Sequence, residues 1–183
     1  MTGRSRLLRG GIALLFWVGF MLYQNPIRFH QTAHAAGLTM QVPTTWTPMR
    51  GVSRREIPIS LHREWVPFVS YGTITVVDRS AFGAYGKPGF SKPGLSNAVW
   101  TMESARKEQA DEVGFAMSDA PHVSNAKSLD LPAGRNTAVC REYMYDGKTQ
   151  LLHCSIVGTP LQFSYIGSRS AEVDAERMLA SLN

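Results

Sequence analysis

Thr137-Ala-Val-Cys-Arg-Glu-Tyr-Met-Tyr145, Asp146-Gly147 and Thr149-Gln-Leu-Leu-His-Cys-Ser-Ile-Val157 read together as two strand-forming runs joined by a turn pair, the signature of a β-hairpin. A third run, Leu161-Gln-Phe-Ser-Tyr-Ile166, follows Gly158-Thr-Pro160, and the chain closes on a helical pattern from Ser170 to Leu182. In that last segment Ala171, Ala175, Met178, Leu179 and Leu182 recur at helical spacing, and Glu172, Asp174, Glu176 and Arg177 are assigned to the opposite, wet face. The C-terminal third is therefore strand, strand, strand, helix.

Upstream, Leu38-Thr-Met-Gln-Val42 alternates as a strand with one buried face, and Pro43-Thr-Thr-Trp46 turns it, with Trp46 as a core anchor. The prolines in Ile57-Pro-Ile59 and Val66-Pro-Phe68 argue against central strands there, whereas Tyr71-Gly-Thr-Ile-Thr-Val-Val77 is rich in β-branched residues and ends at Asp78. A helix is expected to start at Ser96 or Asn97 and to run to Gly114, and His122 to Leu131 forms a further strand leading into the turn Pro132-Ala-Gly134.

The front of the chain has another character. Arg4, Arg6 and Arg9 precede the apolar run 10–23, and a polar stretch ends at Ala33-His-Ala35. This is the layout of a secretory signal peptide cleaved after Ala35. The competing reading is an uncleaved inner-membrane anchor formed by residues 10–23, although a span needs about 17 to 25 apolar residues. Cleavage is favoured at this stage, and either reading exports the rest of the chain. The chain is thus expected to be α+β, an antiparallel sheet with helices packed on its faces, with a signal peptide or anchor at 1–35 and one extracytoplasmic domain at 36–183.

The formal charge of +5 suggests nucleic acid until it is located. Four of the 19 basic residues, Arg4, Arg6, Arg9 and Arg28, lie in the leader with none of the 14 acidic ones, so the domain is close to neutral. A nucleic-acid function is set aside.

The two cysteines, Cys140 and Cys154, fall on opposite arms of the hairpin. A two-residue turn at Asp146-Gly147 would put them on opposite faces of the sheet; a three-residue loop, Asp146 to Lys148, pairs Tyr145 with Thr149 and brings Cys140 opposite Cys154. An oxidising compartment and the lack of other cysteines favour the second register and a disulfide.

From Arg79 to Asn97 the composition turns to glycine, proline and serine, with a tandem at Gly86-Lys-Pro-Gly-Phe90 and Ser91-Lys-Pro-Gly-Leu95. Each Pro-Gly suits the middle of a type II turn. A loop of this length with Phe82, Tyr85 and Phe90 beside Lys87 and Lys92 has the content of an interaction site, expected to be mobile; the alternative, slightly favoured, is that the rings fold back as a lid over the sheet.

The opening Gly37-Leu-Thr-Met-Gln-Val-Pro-Thr-Thr-Trp46 resembles the strand, proline and tryptophan that begin PsbP-like domains, and the closing hairpin, strand and helix resemble their end. The resemblance spans Gly37 to Leu182. It implies an antiparallel sheet with helices on both faces and an exported accessory or assembly factor of a membrane complex; it carries over no functional residue.

Catalytic candidates are weak. Ser104-Ala-Arg-Lys107 and Ser124-Asn-Ala-Lys127 fit the S-x-x-K spacing of serine acyl-transfer enzymes, and Lys148-Thr-Gln150 approaches a partner motif, but chance accounts for all three. His62, His122 and His153 lie far apart, with Glu64 beside His62 the best pair, and read as surface or hairpin histidines. No metal, cofactor or catalytic residue is assigned. The sequence therefore points to an exported, non-enzymatic accessory or binding protein at the outer face of the membrane, with a membrane-complex protein as partner; the alternative is a small exported hydrolase whose Ser/His site the sequence does not locate.

Overall fold

A computed structural model of the chain describes residues 11, 13–17, 30–35, 37–49, 56–63, 71–81, 99–118 and 122–183. Among the described residues, after a helical stretch at 13–17, nine strands and two helices follow in the order β1 (His30–Ala35), β2 (Leu38–Pro43), β3 (Thr47–Pro48), β4 (Ile59–Arg63), β5 (Gly72–Asp78), α1 (Met102–Ser118), β6 (Val123–Ala133), β7 (Asn136–Tyr145), β8 (Thr149–Ile156), β9 (Leu161–Ser168) and α2 (Arg169–Ala180). Strands β3 to β9 form one seven-stranded antiparallel sheet in the order β3-β4-β5-β9-β8-β7-β6, while β1 and β2 pair with each other. The arrangement is α+β, with an antiparallel sheet as expected.

The β7–β8 hairpin carries the register that pairs Tyr145 with Thr149 and Cys140 with Cys154. Asp146 and Gly147 both have positive φ, the sign that a two-residue type I′ turn requires, and Lys148 N–H donates to the Tyr145 carbonyl. The turn residues thus behave as the Asp-Gly pair dictates, and Lys148 is the extra residue that shifts the register by one.

Strand alternation sorts the core. Ile74 and Val76 of β5, Phe163 and Tyr165 of β9, Leu152, Cys154 and Ile156 of β8, and Ala138 and Cys140 of β7 are buried on one face, against Met40, Val42, Trp46 and the Ala171, Ala175, Met178 and Leu179 stripe of α2. The opposite face is more polar and receives α1 through Ala105 and Gln109, beside Val139 and Trp100.

Three expectations are corrected. First, α1 begins at Met102 and not at Ser96 or Asn97, and runs past Gly114 to Ser118. Thr101 caps it reciprocally: Ser104 N–H donates to Thr101 Oγ1 at 3.1 Å and Thr101 N–H donates to Ser104 Oγ at 2.9 Å. Residues before it are committed elsewhere, because Trp100 N–H donates to the Thr159 carbonyl and Trp100 O accepts from Gly158. Second, a strand does follow the first of the two prolines. Pro58 lies one residue outside β4, so its missing N–H costs the ladder nothing, and β4 sits between β3 and β5. Third, Glu172 and Asp174 are buried, not on the wet face of the last helix. Asp174 stands three residues after Ala171 and four before Met178, in line with the apolar stripe, and partners on the sheet hold it there.

The chain's final residues lock β2 from the side away from β1. Thr39 and Asn183 exchange backbone hydrogen bonds at 2.8 and 2.9 Å, and Gln41 N–H donates to Ser181 Oγ. The boundary anticipated between Ala35 and Ala36 falls inside the β1–β2 hairpin, whose six paired positions run from His30↔Pro43 to Ala35↔Leu38.

Candidate functional site

The residues singled out in the sequence do not converge on one place. Cys140 and Cys154 are joined by a disulfide, with Cα atoms 4.0 Å apart and both side chains buried. Such a bond closing a short loop contributes roughly 3 kcal/mol, chiefly by restricting the unfolded chain. Phe82, Tyr85, Lys87, Phe90 and Lys92, and Glu64 of the His62 pair, lie outside the described residues.

The S-x-x-K pairs are structural. Ser104 is spent on the α1 cap. Lys127 makes an ion pair with Glu142 at 2.7 Å, which raises its pKa and holds it protonated, the wrong state for a base. His62 lies 3.3 Å from Thr47 Oγ1 at the β3–β4 edge, and His122 pairs with Asp146 at 2.6 Å and stacks on Tyr145, tying the start of β6 to the hairpin tip.

One contact that sequence reading missed is a serine–histidine pair. His153 Nδ1 lies 2.7 Å from Ser164 Oγ across the β8–β9 ladder. Only the register reveals it, since the two are far from any motif. Its electrostatics oppose general-base work: burial, reinforced by the positive charge of Arg79, pushes the His153 pKa down to about 4. Taking a proton from Ser164 would create an imidazolium where the surroundings most resist one. The pair is a partly buried polar contact on the face of the sheet that receives α1, alongside Gln109 Nε2 donating to Ser155 Oγ at 3.0 Å.

The surface better suited to recognition is on the same face of the sheet, one row nearer the hairpin end. Thr73, Ile166, Leu151 and Tyr143 are successive register partners across β5, β9, β8 and β7 and so form one cross-strand row. Ile166 is 49% exposed, and Tyr145, two residues along β7 on the same face, is 36% exposed. A β-branched residue and a tyrosine left in water on a rigid sheet is recognition content without catalytic geometry.

The opposite face builds a buried polar knot. Arg63 Nη1 lies 3.0 Å from Asp174 Oδ2, with both side chains almost wholly buried, and Trp46 Nε1 donates to the same oxygen at 3.4 Å. Three elements, the β2–β3 corner, β4 and α2, are tied at one carboxylate. Tyr165 stacks edge-on against Trp46, and its hydroxyl donates to the Ser168 carbonyl at 2.6 Å; burial and the nearby Glu172 push its pKa up, so it remains a neutral donor. No group of His, Cys, Asp and Glu among the described residues is placed to hold a metal ion.

This architecture has a counterpart among solved structures. The chain is similar in fold to cyanobacterial PsbP. The match is to the solution structure of PsbP (CyanoP) from Synechocystis sp. PCC 6803, and it covers 85% of this chain and 92% of that one at 8% identity and a TM-score of 0.44. No family model and no curated protein matches the chain. At that identity the PsbP-like likeness concerns the fold and assigns no residue a role.

Proposed function

We propose that this protein is an exported, non-enzymatic accessory domain that works at the outer face of a membrane, retains its N-terminal segment as an anchor, and docks a protein partner through the Ile166 row. The observation that carries the compartment is the buried Cys140–Cys154 bond, since disulfides persist where the surroundings are oxidising.

Two features support retention over cleavage after Ala35. Processing at that bond would remove β1 and strip β2 of six paired positions. In the helical residues 13–17, Leu14, Leu15, Phe16 and Trp17 are each at least 60% exposed, an apolar surface that suits a lipid surrounding. No helix among the described residues is by itself long and apolar enough to cross a membrane; the run 10–23 extends beyond them. Sheet-borne apolar residues with no pocket chemistry support the docking role, in keeping with what the PsbP-like opening and ending of the sequence imply.

Substituting Ile166 with alanine tests the docking surface. The side chain is 49% exposed, so the melting temperature is expected to stay within about 2 °C while cross-linked capture of a protein from the host membrane falls at least about tenfold. Unchanged capture in a variant of unchanged stability would remove the Ile166 row from the proposal.

A further inference from the structure

Four elements meet at the first turn of α2, and their polar groups are unevenly partnered. On β7, Glu142 is served twice: Gln150 Nε2 of β8 donates to Oε1 at 2.5 Å, and Lys127 of β6 holds Oε2 at 2.7 Å. On α2, Glu172 is 92% buried by its 8% exposure, receives a hydrogen bond from Gln150, and leaves Oε1 buried with no partner. The cation nearest to the pair is thus already committed to Glu142. An ionised Glu172 would sit beside a second carboxylate with no counter-ion of its own.

The helix start that carries Glu172 is tied to β5 and β9 through Ser168, whose N–H donates to the Tyr71 carbonyl and whose carbonyl accepts from Tyr165, but its first N–H groups have no side-chain cap. Ser168 occupies the N-cap position without a side-chain cap bond; its hydroxyl goes to the Tyr71 carbonyl at 3.2 Å. The positive end of the helix favours an ionised Glu172, typically by less than about 1 kcal/mol, and burial opposes it more strongly.

We propose that the seat of the first turn of α2 on the sheet is a proton-sensitive latch, closed while Glu172 is the neutral acid and loosened when Glu172 ionises against Glu142. The groups facing Glu172 are Glu142 from β7, Gln150 from β8, Lys127 from β6 and Glu176 on its own helix, with Tyr165 of β9 nearby. Three are carboxylate or neutral, Lys127 is shared with Glu142, and Arg169 at the start of the helix is exposed to water, so the net setting favours a bound proton.

Burial, followed by the charge of Glu142, pushes the Glu172 pKa up to about 7, above the ordinary carboxyl value of 4.5. A folded state that keeps its proton after the unfolded chain has lost it is favoured at low pH. The contribution of Glu172 to stability is therefore fully present below about 4.5 and is lost as pH rises towards 7. His153 acts in the opposite sense, because its depressed value makes stability fall as pH drops from 6.5 to about 4. The two slopes oppose each other between 4.5 and 6.5, so the part due to Glu172 is read as the difference between the native protein and a Glu172→Gln variant that keeps His153.

The test is amide hydrogen exchange across α2 in the full-length protein between pH 5 and 8, corrected for intrinsic rates, with E172Q for comparison. The native protein is expected to lose protection in the first two turns of α2 by at least about tenfold as the pH rises from 5 to 7, with little further loss above 7, and E172Q to show no such loss. Carboxyl carbon shifts of Glu172 provide a second reading that does not depend on the variant folding, with a midpoint expected near 7. A midpoint near 4.5, the same pH dependence in E172Q, or tight calcium binding that restores protection at pH 8 would each overturn the latch.

Discussion

Replacing Arg63 with alanine is expected to cost about 3–5 kcal/mol of folding stability, a fifth or more of the roughly 5–15 kcal/mol a domain ordinarily has. The side chain ends β4 on the buried face, where alternation from Ile59 through Leu61 puts it, and its guanidinium meets Asp174 at 3.0 Å with both groups almost fully enclosed. The cost does not come from losing a strong attraction, because the pair has already forfeited its hydration. It comes from leaving the Asp174 carboxylate buried with only neighbours such as the Trp46 indole, 3.4 Å away, to compensate it. That origin gives a sharper expectation: changing Arg63 to methionine and Asp174 to leucine together should cost less than either change alone, since no charge is then stranded. Urea midpoints of the two single variants and the double variant read this directly. Additive losses would mean that the three-element knot at Asp174 is held by packing and not by charge.

Gly167→Ala is the second large effect, expected at about 3 kcal/mol or more, at the upper end of overpacking costs. Gly72 and Gly167 stand directly opposite each other on β5 and β9. A Cβ on Gly167 would meet the Tyr71 carbonyl oxygen, the Gly72 Cα at 2.6 Å and the Tyr165 hydroxyl at 2.5 Å. Two of the three are backbone, and the Tyr71 oxygen is pinned by Ser168 N–H at 2.9 Å, so relief requires the strands to part. On Gly72 a Cβ would meet the rings of Tyr165 and Trp46 at 2.7 and 2.8 Å, so that the absence of side chains at this pair is what lets the two aromatics pack over the sheet. Thermal unfolding of Gly167→Ala checks the expectation; a loss below about 1 kcal/mol would show that β5 and β9 separate freely at this end.

How far the sequence could be read depended on whether a signal was local. The β7–β8 hairpin and its neighbour β9 were legible because turn chemistry and strand propensity coincide there. The cysteine pairing needed one residue of register, and the compartment argument supplied it. The burial of Glu172 and Asp174 was not read, because acids in an amphipathic helix are assigned outward by default, although the spacing of Asp174 from Ala171 and Met178 already placed it on the apolar stripe. Likewise Arg63 follows Ile59 and Leu61 at period two, and its charge masked its position. The true start of α1 was hidden because Ser96 and Asn97 are good caps by type, while the decisive bonds of Trp100 go to Gly158 and Thr159, far along the chain. The Ile166 row was beyond sequence reading for the same reason: four residues from four strands become neighbours only when the order β5-β9-β8-β7 is known. The loop with Phe82, Tyr85 and Phe90 remains an expectation of the sequence.

The most direct measurement of the central claim is the intact mass of the protein recovered from its native host after alkylation without reduction, taken separately on membrane and soluble fractions. An exported domain that keeps its N-terminal segment predicts the chain in the membrane fraction, with residues 30–35 and the apolar run before them still attached and neither Cys140 nor Cys154 alkylated. A full-length chain in the cytosolic fraction with both cysteines alkylated would contradict the account.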